Sequence, residues 1–157
     1  MANNNFNINI RPAAIADYAA LEKIYLIDRQ QDFPWVKDPK LEDFEHDSHH
    51  EMILVAIHNG QAVGFLSFYR LANFIHLLFV HPDYRHQHVA SQLIEAMRTQ
   101  ATGPMQLKVV VANQAARDFY QQLGFRAIKH DDLATPPNIT LEDTRLDQYP
   151  FLPKHRR

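Results

Sequence analysis

The sequence predicts a single α/β domain with a mixed, mostly antiparallel sheet and helices on both faces. Strand-like runs alternate with helical stretches, and three strand-like runs follow one another in the middle of the chain. With 157 residues, 46% of them hydrophobic, the chain can bury about two-thirds of the surface that its unfolded form exposes. The predicted order is β-α-α-β-β-β-α-β-α-β-β, with a core over about residues 7–147 and a C-terminal tail over 148–157.

The first third of the chain predicts one strand and two helices. Residues 6–13, FNINIRPA, alternate like a strand that stops at Pro12. An apolar stripe then predicts a helix that runs to about Arg29. The stripe consists of Ile15, Tyr18, Leu21, Ile24 and Ile27. A second, short helix is expected at residues 41–44, before the polar run EHDSHH.

The middle of the chain carries the clearest local signal, a β-hairpin. MILVAIH and QAVGFLSFY predict two strands, and Asn59-Gly60 between them tolerates the positive φ angles of a type I′ turn. A third strand is predicted at residues 74–80. A helix with an apolar face that begins at Val89 follows it.

The last third predicts a strand, a helix and two further strands. MQLKVVV is apolar enough for a buried strand, and NQAARDFYQQLGF predicts a helix closed by Gly124 as a left-handed cap. Residues 125–130 and 139–147 supply the final two strands, separated by the loop DDLATPP.

Composition argues against several classes of protein. The chain has no cysteine, so a disulfide framework or a thiolate metal site is excluded. A net charge of −2 gives no reason to expect a polyanionic partner, and the basic cluster KHRR lies at the extreme C-terminus. The apolar runs are too short for a bilayer, and MANNNFNINI does not resemble a signal peptide. We therefore expect a cytoplasmic protein with no nucleic-acid partner and no membrane partner.

Two segments carry a resemblance to a known family. LLFVHPDYRHQHVASQLI predicts a strand, a loop and a helix, the arrangement that cradles phosphates, and NQAARDFYQQLGF forms a second motif. Together with the order of elements, they resemble the GNAT superfamily of acyl-CoA-dependent N-acetyltransferases, from Arg11 to about Asp147. The resemblance implies that acetyl-CoA is the cosubstrate. It also implies direct attack on the acetyl group by a primary amine of a small molecule or peptide.

The first motif departs from the family at two glycine positions, which His86 and His88 occupy. The resemblance implies that backbone N–H groups at the helix start hold the pyrophosphate of coenzyme A. A loop with negative φ angles presents the same N–H groups with any residue, and Arg85, His86 and His88 can add positive charge. The alternative is that both histidines are ordinary exposed loop residues. The loop residues expected at the cofactor are Arg85, His86, Gln87, His88, Val89, Ala90 and Ser91.

The strand before this loop and the second motif supply the other expected contacts. The resemblance implies that Leu78, Phe79 and Val80 hold the pantetheine arm through the strand backbone, with the N–H of Leu77 or Leu78 as oxyanion donor. Four residues of the second motif are assigned to the site in the same way. They are Asn113, which positions the arm or a water, Ala116, Phe119, and Tyr120, the proton donor to the departing thiolate. Core packing is the alternative for Tyr120.

The proton acceptor and the substrate pocket are less determined. His76, inside the apolar run FIHLLFV, suits an amine base, or is a buried histidine with both nitrogens hydrogen-bonded. Glu51, Glu142 and Asp143 are reserve bases. Phe33 and Trp35 form an apolar wall of the acceptor site or serve as packing anchors.

Three further interpretations concern metal, activity and assembly. HDSHH places histidines at helical spacing that can hold zinc, but a solvated polar face is favoured, so no metal is predicted. The alternative to an enzyme is a GNAT-like module that binds acyl-CoA, or has lost it, and acts as a sensor or interaction domain. A homodimer remains open.

Overall fold

The computed structural model describes residues 6–152 of the chain, and the basic cluster at 154–157 lies outside them. The strands are β1 (Asn9–Pro12), β2 (Met52–His58), β3 (Gln61–Tyr69), β4 (Phe74–Val80), β5 (Gln106–Val110), β6 (Phe125–Asp131) and β7 (Asn138–Asp143). The α-helices are α1 (Tyr18–Asp32), α2 (Asp43–Asp47), α3 (Val89–Arg98) and α4 (Gln114–Gln122). This is the predicted order of elements.

The strands form a mixed sheet in the order β1-β2-β3-β4-β5-β7-β6. The pairs β1–β2, β2–β3, β5–β7 and β6–β7 are antiparallel, and β4–β5 is parallel, with Phe74 opposite Gln106. The α/β class and the mostly antiparallel sheet are therefore confirmed.

The chain divides into two compact units, and it passes from one unit to the other within β3, β4 and α3. Of the described residues, the first unit contains 6–68 and 77–94, and the second contains 69–76 and 95–152. The core of the first unit is aliphatic and aromatic. Its buried members are Leu21, Ile24, Tyr25, Phe44, Ile53, Val55, Phe65 and Leu77.

The start of α1 differs from the prediction. Ile15 is 86% exposed and lies in a 3-10 turn, Ile15–Asp17, outside the buried stripe. The Asp17 carboxylate accepts a hydrogen bond from the Ala14 N–H at 2.7 Å and pairs with Arg11 at 2.7 Å. This local bonding fixes a tighter turn before the helix, and the register of the turn points Ile15 to solvent.

Other boundaries shift by a few residues, and the hairpin is confirmed. Asn59 and Gly60 have φ angles of 50° and 75°, as a type I′ turn requires. β7 ends at Asp143 instead of 147, because the Arg145 N–H turns back to the Asp143 carboxylate at 3.1 Å. Within residues 6–152, no helix combines the length and apolar character needed to cross a bilayer.

Candidate active site

The segment between β4 and α3, in the first unit, is a short, closely bonded turn. The His81 N–H donates to the Val63 carbonyl oxygen of β3 at 2.8 Å. Residues 82–84 form a 3-10 turn, and the Asp83 N–H donates to the imidazole Nδ1 of His81 at 3.1 Å. The chain then passes through residues 85–88 directly into the first turn of α3.

Both histidines of this loop adopt the left-handed backbone conformation that favours glycine. His86 has a φ angle of 62° and His88 has one of 60°. The expectation of negative φ angles is therefore wrong. Histidine is among the side chains that tolerate the left-handed region, although at a cost that glycine avoids. The loop keeps a glycine-type path without glycine.

The start of α3 presents unpaired backbone donors. The Gln92 N–H donates to the His88 carbonyl oxygen at 3.1 Å, so the N–H groups of residues 89–91 precede the first intrahelical bond. Among the described residues, no loop or cap hydrogen bond between backbone groups uses an N–H of residues 86–91. Together with the helix dipole, these donors can bind an anionic group.

Gly64 of β3 allows a close approach beside this loop. A Cβ atom at position 64 would lie 3.1 Å from the carbonyl oxygen of Phe79 and 3.1 Å from a methyl group of Val89. Any side chain would therefore press on β4 and on the first residue of α3. A glycine inside a strand run is a sequence signal for such an approach.

Asp28 of α1 binds both ends of the turn and was not identified from the sequence. Its Oδ1 accepts a hydrogen bond from the Arg85 guanidinium at 2.9 Å, and its carboxylate also accepts one from the Val80 N–H. Asp32, one helical turn later, pairs with the same guanidinium. Arg85 is therefore paired with two carboxylates of α1, while positive charge from its partly exposed guanidinium beside the phosphates stays a prediction.

Burial dominates the electrostatics of Asp28. The residue is 4% exposed, and desolvation raises the pKa of its carboxyl to about 6, although Arg85 and the Val80 N–H act in the opposite direction. A sequence signal existed. Leu21, Ile24, Tyr25 and Asp28 follow helical spacing, so Asp28 continues the buried face of α1.

Phe33 and Trp35 lie together beside the candidate cofactor strand. Their rings are 5.1 Å apart at 85°, and Phe33 lies 5.5 Å from the ring of Phe79 on β4. Neither is fully buried. In the first unit, the structure thus brings both predicted substrate residues into one aromatic group with a predicted cofactor residue.

The second motif forms the start of α4, in the second unit. Asn113 is the N-cap, and its side-chain oxygen accepts a hydrogen bond from the Ala116 N–H at 3.2 Å. The helix closes at Gly124, whose φ angle of 101° confirms the left-handed cap. Part of this motif therefore has a local structural role, and within residues 6–152 the amide nitrogen of Asn113 has no hydrogen-bond partner.

Tyr120 lies on α4 between two aromatic rings. Its ring is 5.1 Å from that of Phe119 and 5.7 Å from that of Phe125. The side chain is half-buried, and burial raises the pKa of its phenol well above the ordinary value. The phenol carries its proton at neutral pH, as an unperturbed tyrosine also does.

The candidate base His76 is exposed on β4, between buried Ile75 and Leu77. The alternative of a buried histidine is therefore wrong, while its role as base stays a prediction. Among the reserve bases, Asp143 is bound by Arg98 at 2.7 Å and by the Tyr149 hydroxyl at 2.6 Å. That carboxylate is committed to the interior of the second unit.

The remaining reserves and the histidine run have local partners. Glu51 accepts a hydrogen bond from the Ser67 hydroxyl at 2.5 Å, and Glu142 accepts one from the Gln106 side chain at 3.3 Å. His46 pairs with Asp47 at 3.1 Å. In the part of the chain that the structure describes, no group of three or more His, Cys, Asp or Glu residues could hold a metal ion.

Similar solved structures agree with this fold. Apo-form YjaB from Escherichia coli is 23% identical, with coverage of 88% of this chain and 98% of that chain and a TM-score of 0.71. The putative acetyltransferase yncA from Salmonella typhimurium, solved with its cofactor acetyl-CoA, is 20% identical, with coverage of 91% and 96% and a TM-score of 0.64. Likeness at these identities shows the fold.

Sequence comparisons identify the family to which the chain belongs. The uncharacterized N-acetyltransferase YafP of Escherichia coli K12 is 35% identical over 77 residues, which are 49% of this chain and 47% of that protein. The match thus spans about half the length of this relative. The model of the acetyltransferase (GNAT) family matches residues 18–125, well over half of the chain. The protein therefore belongs to the GNAT acetyltransferase family.

Proposed function

We propose that this protein transfers an acetyl group from acetyl-CoA to a primary amine of a small molecule or a peptide. The loop at residues 85–88 carries the proposal, because His86 and His88 hold left-handed φ angles there. A non-glycine residue in this region costs roughly 1–2 kcal/mol, and such strain concentrates at ligand-binding loops. A loop that keeps this path without glycine fits a binding role.

The proposed cofactor site combines loop and strand backbone. The N–H groups of residues 86–91 would hold the pyrophosphate of acetyl-CoA, and Leu78, Phe79 and Val80 would hold the pantetheine arm. Since the Val80 N–H donates to Asp28, the carbonyl oxygen of Val80 is the group that can accept from a pantetheine amide. The amide nitrogen of Asn113, whose side-chain oxygen caps α4, would act as a further donor.

Chemically, the amine nitrogen attacks the thioester carbonyl, the N–C bond forms and the C–S bond breaks. His76 would take the proton that the ammonium group loses, and Tyr120 would give its proton to the departing thiolate. A backbone N–H at Leu77 or Leu78 would stabilise the developing oxyanion. The place of Tyr120 in the second motif supports this role; burial keeps its phenol protonated but also raises its pKa, which makes it a weaker acid.

For the acceptor, we propose that Phe33 and Trp35 wall one side of the pocket. Their contact with Phe79 supports this assignment, because Phe79 belongs to the strand proposed to hold the pantetheine arm. An aromatic wall favours an acceptor with an apolar or cationic part near its amine.

The first test is calorimetric titration of the protein with acetyl-CoA and with desulfo-CoA at pH 7.5. We expect both to bind in the micromolar range that is typical of metabolic cofactors, because the proposed contacts do not involve the sulfur. No heat and no thermal shift at millimolar acetyl-CoA would overturn the proposal and leave the interaction module as the reading of the fold.

The second test is Tyr120→Phe, with exposed Tyr69→Phe as the matched control. Coenzyme A release would be followed with spermidine, free lysine and a peptide with N-terminal alanine as acceptors. The alanine peptide is included because a structural neighbour is a ribosomal-protein-alanine N-acetyltransferase from Brucella melitensis. Loss of the proton donor should lower kcat roughly 10²-fold with little change in cofactor affinity. Equal turnover in both variants would return Tyr120 to a packing role.

A further inference from the structure

One buried carboxylate, that of Asp28, connects the two ends of the turn that leads into the phosphate loop. It accepts from the Val80 N–H at the end of β4 and from the Arg85 guanidinium at the start of the loop, at 2.9 Å. The first and last residues of the segment 80–85 are thus bound by the same side chain. All three groups lie within the first unit.

A carboxylate at this position lowers the stability of the fold, because its charge is removed from water. Asp28 is 4% exposed, and burying an ionised group costs free energy that its partners only partly return. An asparagine has nearly the same shape and could still accept from the Val80 N–H. What asparagine cannot reproduce is the charge-assisted hydrogen bond to Arg85, so the charge is the property whose removal tests the placement of that arginine.

We propose that Asp28 is a positioning residue for acetyl-CoA binding, which fixes residues 86–88 in their left-handed path by holding Val80 and Arg85 together. The inference rests on the proposed function, since it concerns the same loop. Arg85 is the residue directly before His86, so a shift of its backbone changes the direction of the following N–H groups. Strained φ angles persist only where the surroundings enforce them, and Asp28 supplies that enforcement.

Asp32 provides a matched control on the same helix face. Its carboxylate also pairs with Arg85, but its side chain is 46% exposed, against 6% for Asp28. Asp28→Asn and Asp32→Asn remove the same charge from the same arginine. By charge alone, both should bind anionic coenzyme A somewhat more tightly, because each removes a negative group near the loop. A positioning role predicts the opposite sign for Asp28→Asn only.

The experiment is calorimetric titration of wild type and both variants with acetyl-CoA, and with ADP, which carries the pyrophosphate without the pantetheine arm. We expect Asp28→Asn to weaken both ligands by about tenfold, the loss of one charged hydrogen bond. Asp32→Asn should stay within about threefold of wild type. At saturating acetyl-CoA, kcat of Asp28→Asn should match wild type while KM rises, which a general loss of structure would not produce.

The outcomes separate this inference from the proposed function. If wild type fails to bind acetyl-CoA, the proposed function falls. If wild type binds and both asparagine variants bind equally well, only the positioning role falls. Arg85→Gln gives an independent check that leaves the buried carboxylate in place. It should weaken ADP binding as Asp28→Asn does, and the double variant should be no weaker than the single variants, because both changes break one link. Additive losses would overturn the inference.

Discussion

Asp143 and Asp28 are both buried aspartates that hold an arginine, but their surroundings differ. In the second unit, the side chains of Asp143 and Arg98 are 0% and 1% exposed and share bonds of 2.7 and 3.2 Å. Arg98 also donates to Gln148 and to the Leu123 carbonyl oxygen, each at 2.7 Å. The charged groups of this pair thus form their hydrogen bonds with other residues of the second unit.

We call the Asp28–Arg85 pair of the first unit the open pair, because its carboxylate is buried and its guanidinium is partly exposed. The Asp143–Arg98 pair, with both side chains buried, is the closed pair. The Arg85 side chain is 36% exposed, and the residues that follow it are the candidate phosphate loop. The closed pair joins α3 to β7, whereas the open pair joins α1 to a loop with strained φ angles. The difference is that one partner of the open pair leads directly to unpaired N–H donors at the surface, which fits the positioning role proposed for Asp28.

Breaking the closed pair should have the largest effect on stability. Arg98→Met leaves the Asp143 carboxylate buried without its cation, so the free energy of unfolding should fall by about 3–5 kcal/mol. Urea denaturation followed by circular dichroism measures this. Arg85→Met at the open pair should cost less than half as much, because Asp28 can take up a proton there. Equal losses would break the comparison.

A second check of the closed pair is the double variant Arg98→Met/Asp143→Leu. Replacement of a whole buried pair by apolar residues is often neutral. The double variant should therefore recover much of the stability that Arg98→Met alone loses. A double variant no more stable than the single one would mean that Tyr149 and Gln148 depend on the carboxylate and the guanidinium for their own placement.

The open pair should reveal itself in the pH dependence of stability. The pKa of Asp28 rises to about 6 in the fold, above its unfolded value, so the protonated carboxyl favours the folded state. That contribution is complete below about pH 4 and disappears as the pH rises through 6, a change of about 3 kcal/mol at most. The charged groups that face this carboxyl are Arg85 and Asp32.

Asp28→Asn removes this titration. Relative to wild type, the variant should therefore gain up to about 3 kcal/mol of unfolding free energy between pH 4 and pH 7. Urea denaturation of both proteins at each pH measures the difference, and the general effects of acid cancel. If the difference in unfolding free energy between the two proteins did not change with pH, the Asp28 carboxylate would be as fully hydrogen-bonded as that of Asp143. The contrast between the two pairs would then be lost.

The fold was predictable from the sequence because its signals are local. The Asn59-Gly60 turn, the glycine cap at Gly124 and the apolar run of β4 each act through neighbours in the chain. The exposed Ile15 was mispredicted for a complementary reason. Periodicity assigned it to the stripe, whereas Asp17 bonds to the Ala14 N–H and forms a separate turn.

The candidate site was predictable only in part. The motifs predicted the loop and Tyr120 as parts of the site. A sequence does not identify the tertiary partner of a buried polar side chain. Asp28 is 57 residues away from Arg85, so their link depends on tertiary structure. The φ angles of His86 and His88 were mispredicted because residue type suggested negative values, whereas the surrounding fold imposes positive ones.

Asn113 allows a smaller test, in the unit where polar groups serve the fold. Asn113→Asp keeps the oxygen that accepts from the Ala116 N–H, and its charge suits a helix start, so stability should not fall. Asn113→Ala should lose about 1 kcal/mol. Both variants lack the amide nitrogen, so both should bind acetyl-CoA more weakly if that group contacts the pantetheine arm. Binding that follows stability would assign Asn113 to the cap alone.

The smallest effect should come from His88, where the open region stores backbone strain. Glycine relieves the left-handed φ angle of 60° but adds freedom to the unfolded chain, whereas alanine keeps the strain. His88→Gly should therefore be about 1 kcal/mol more stable than His88→Ala. At Gln87, whose φ angle is not positive, the order should reverse, and alanine should be more stable than glycine. Thermal melts of the four variants measure both differences. The same order at both positions would mean that His88 is not held in the left-handed region, and the loop would then carry no strain for Asp28 to maintain.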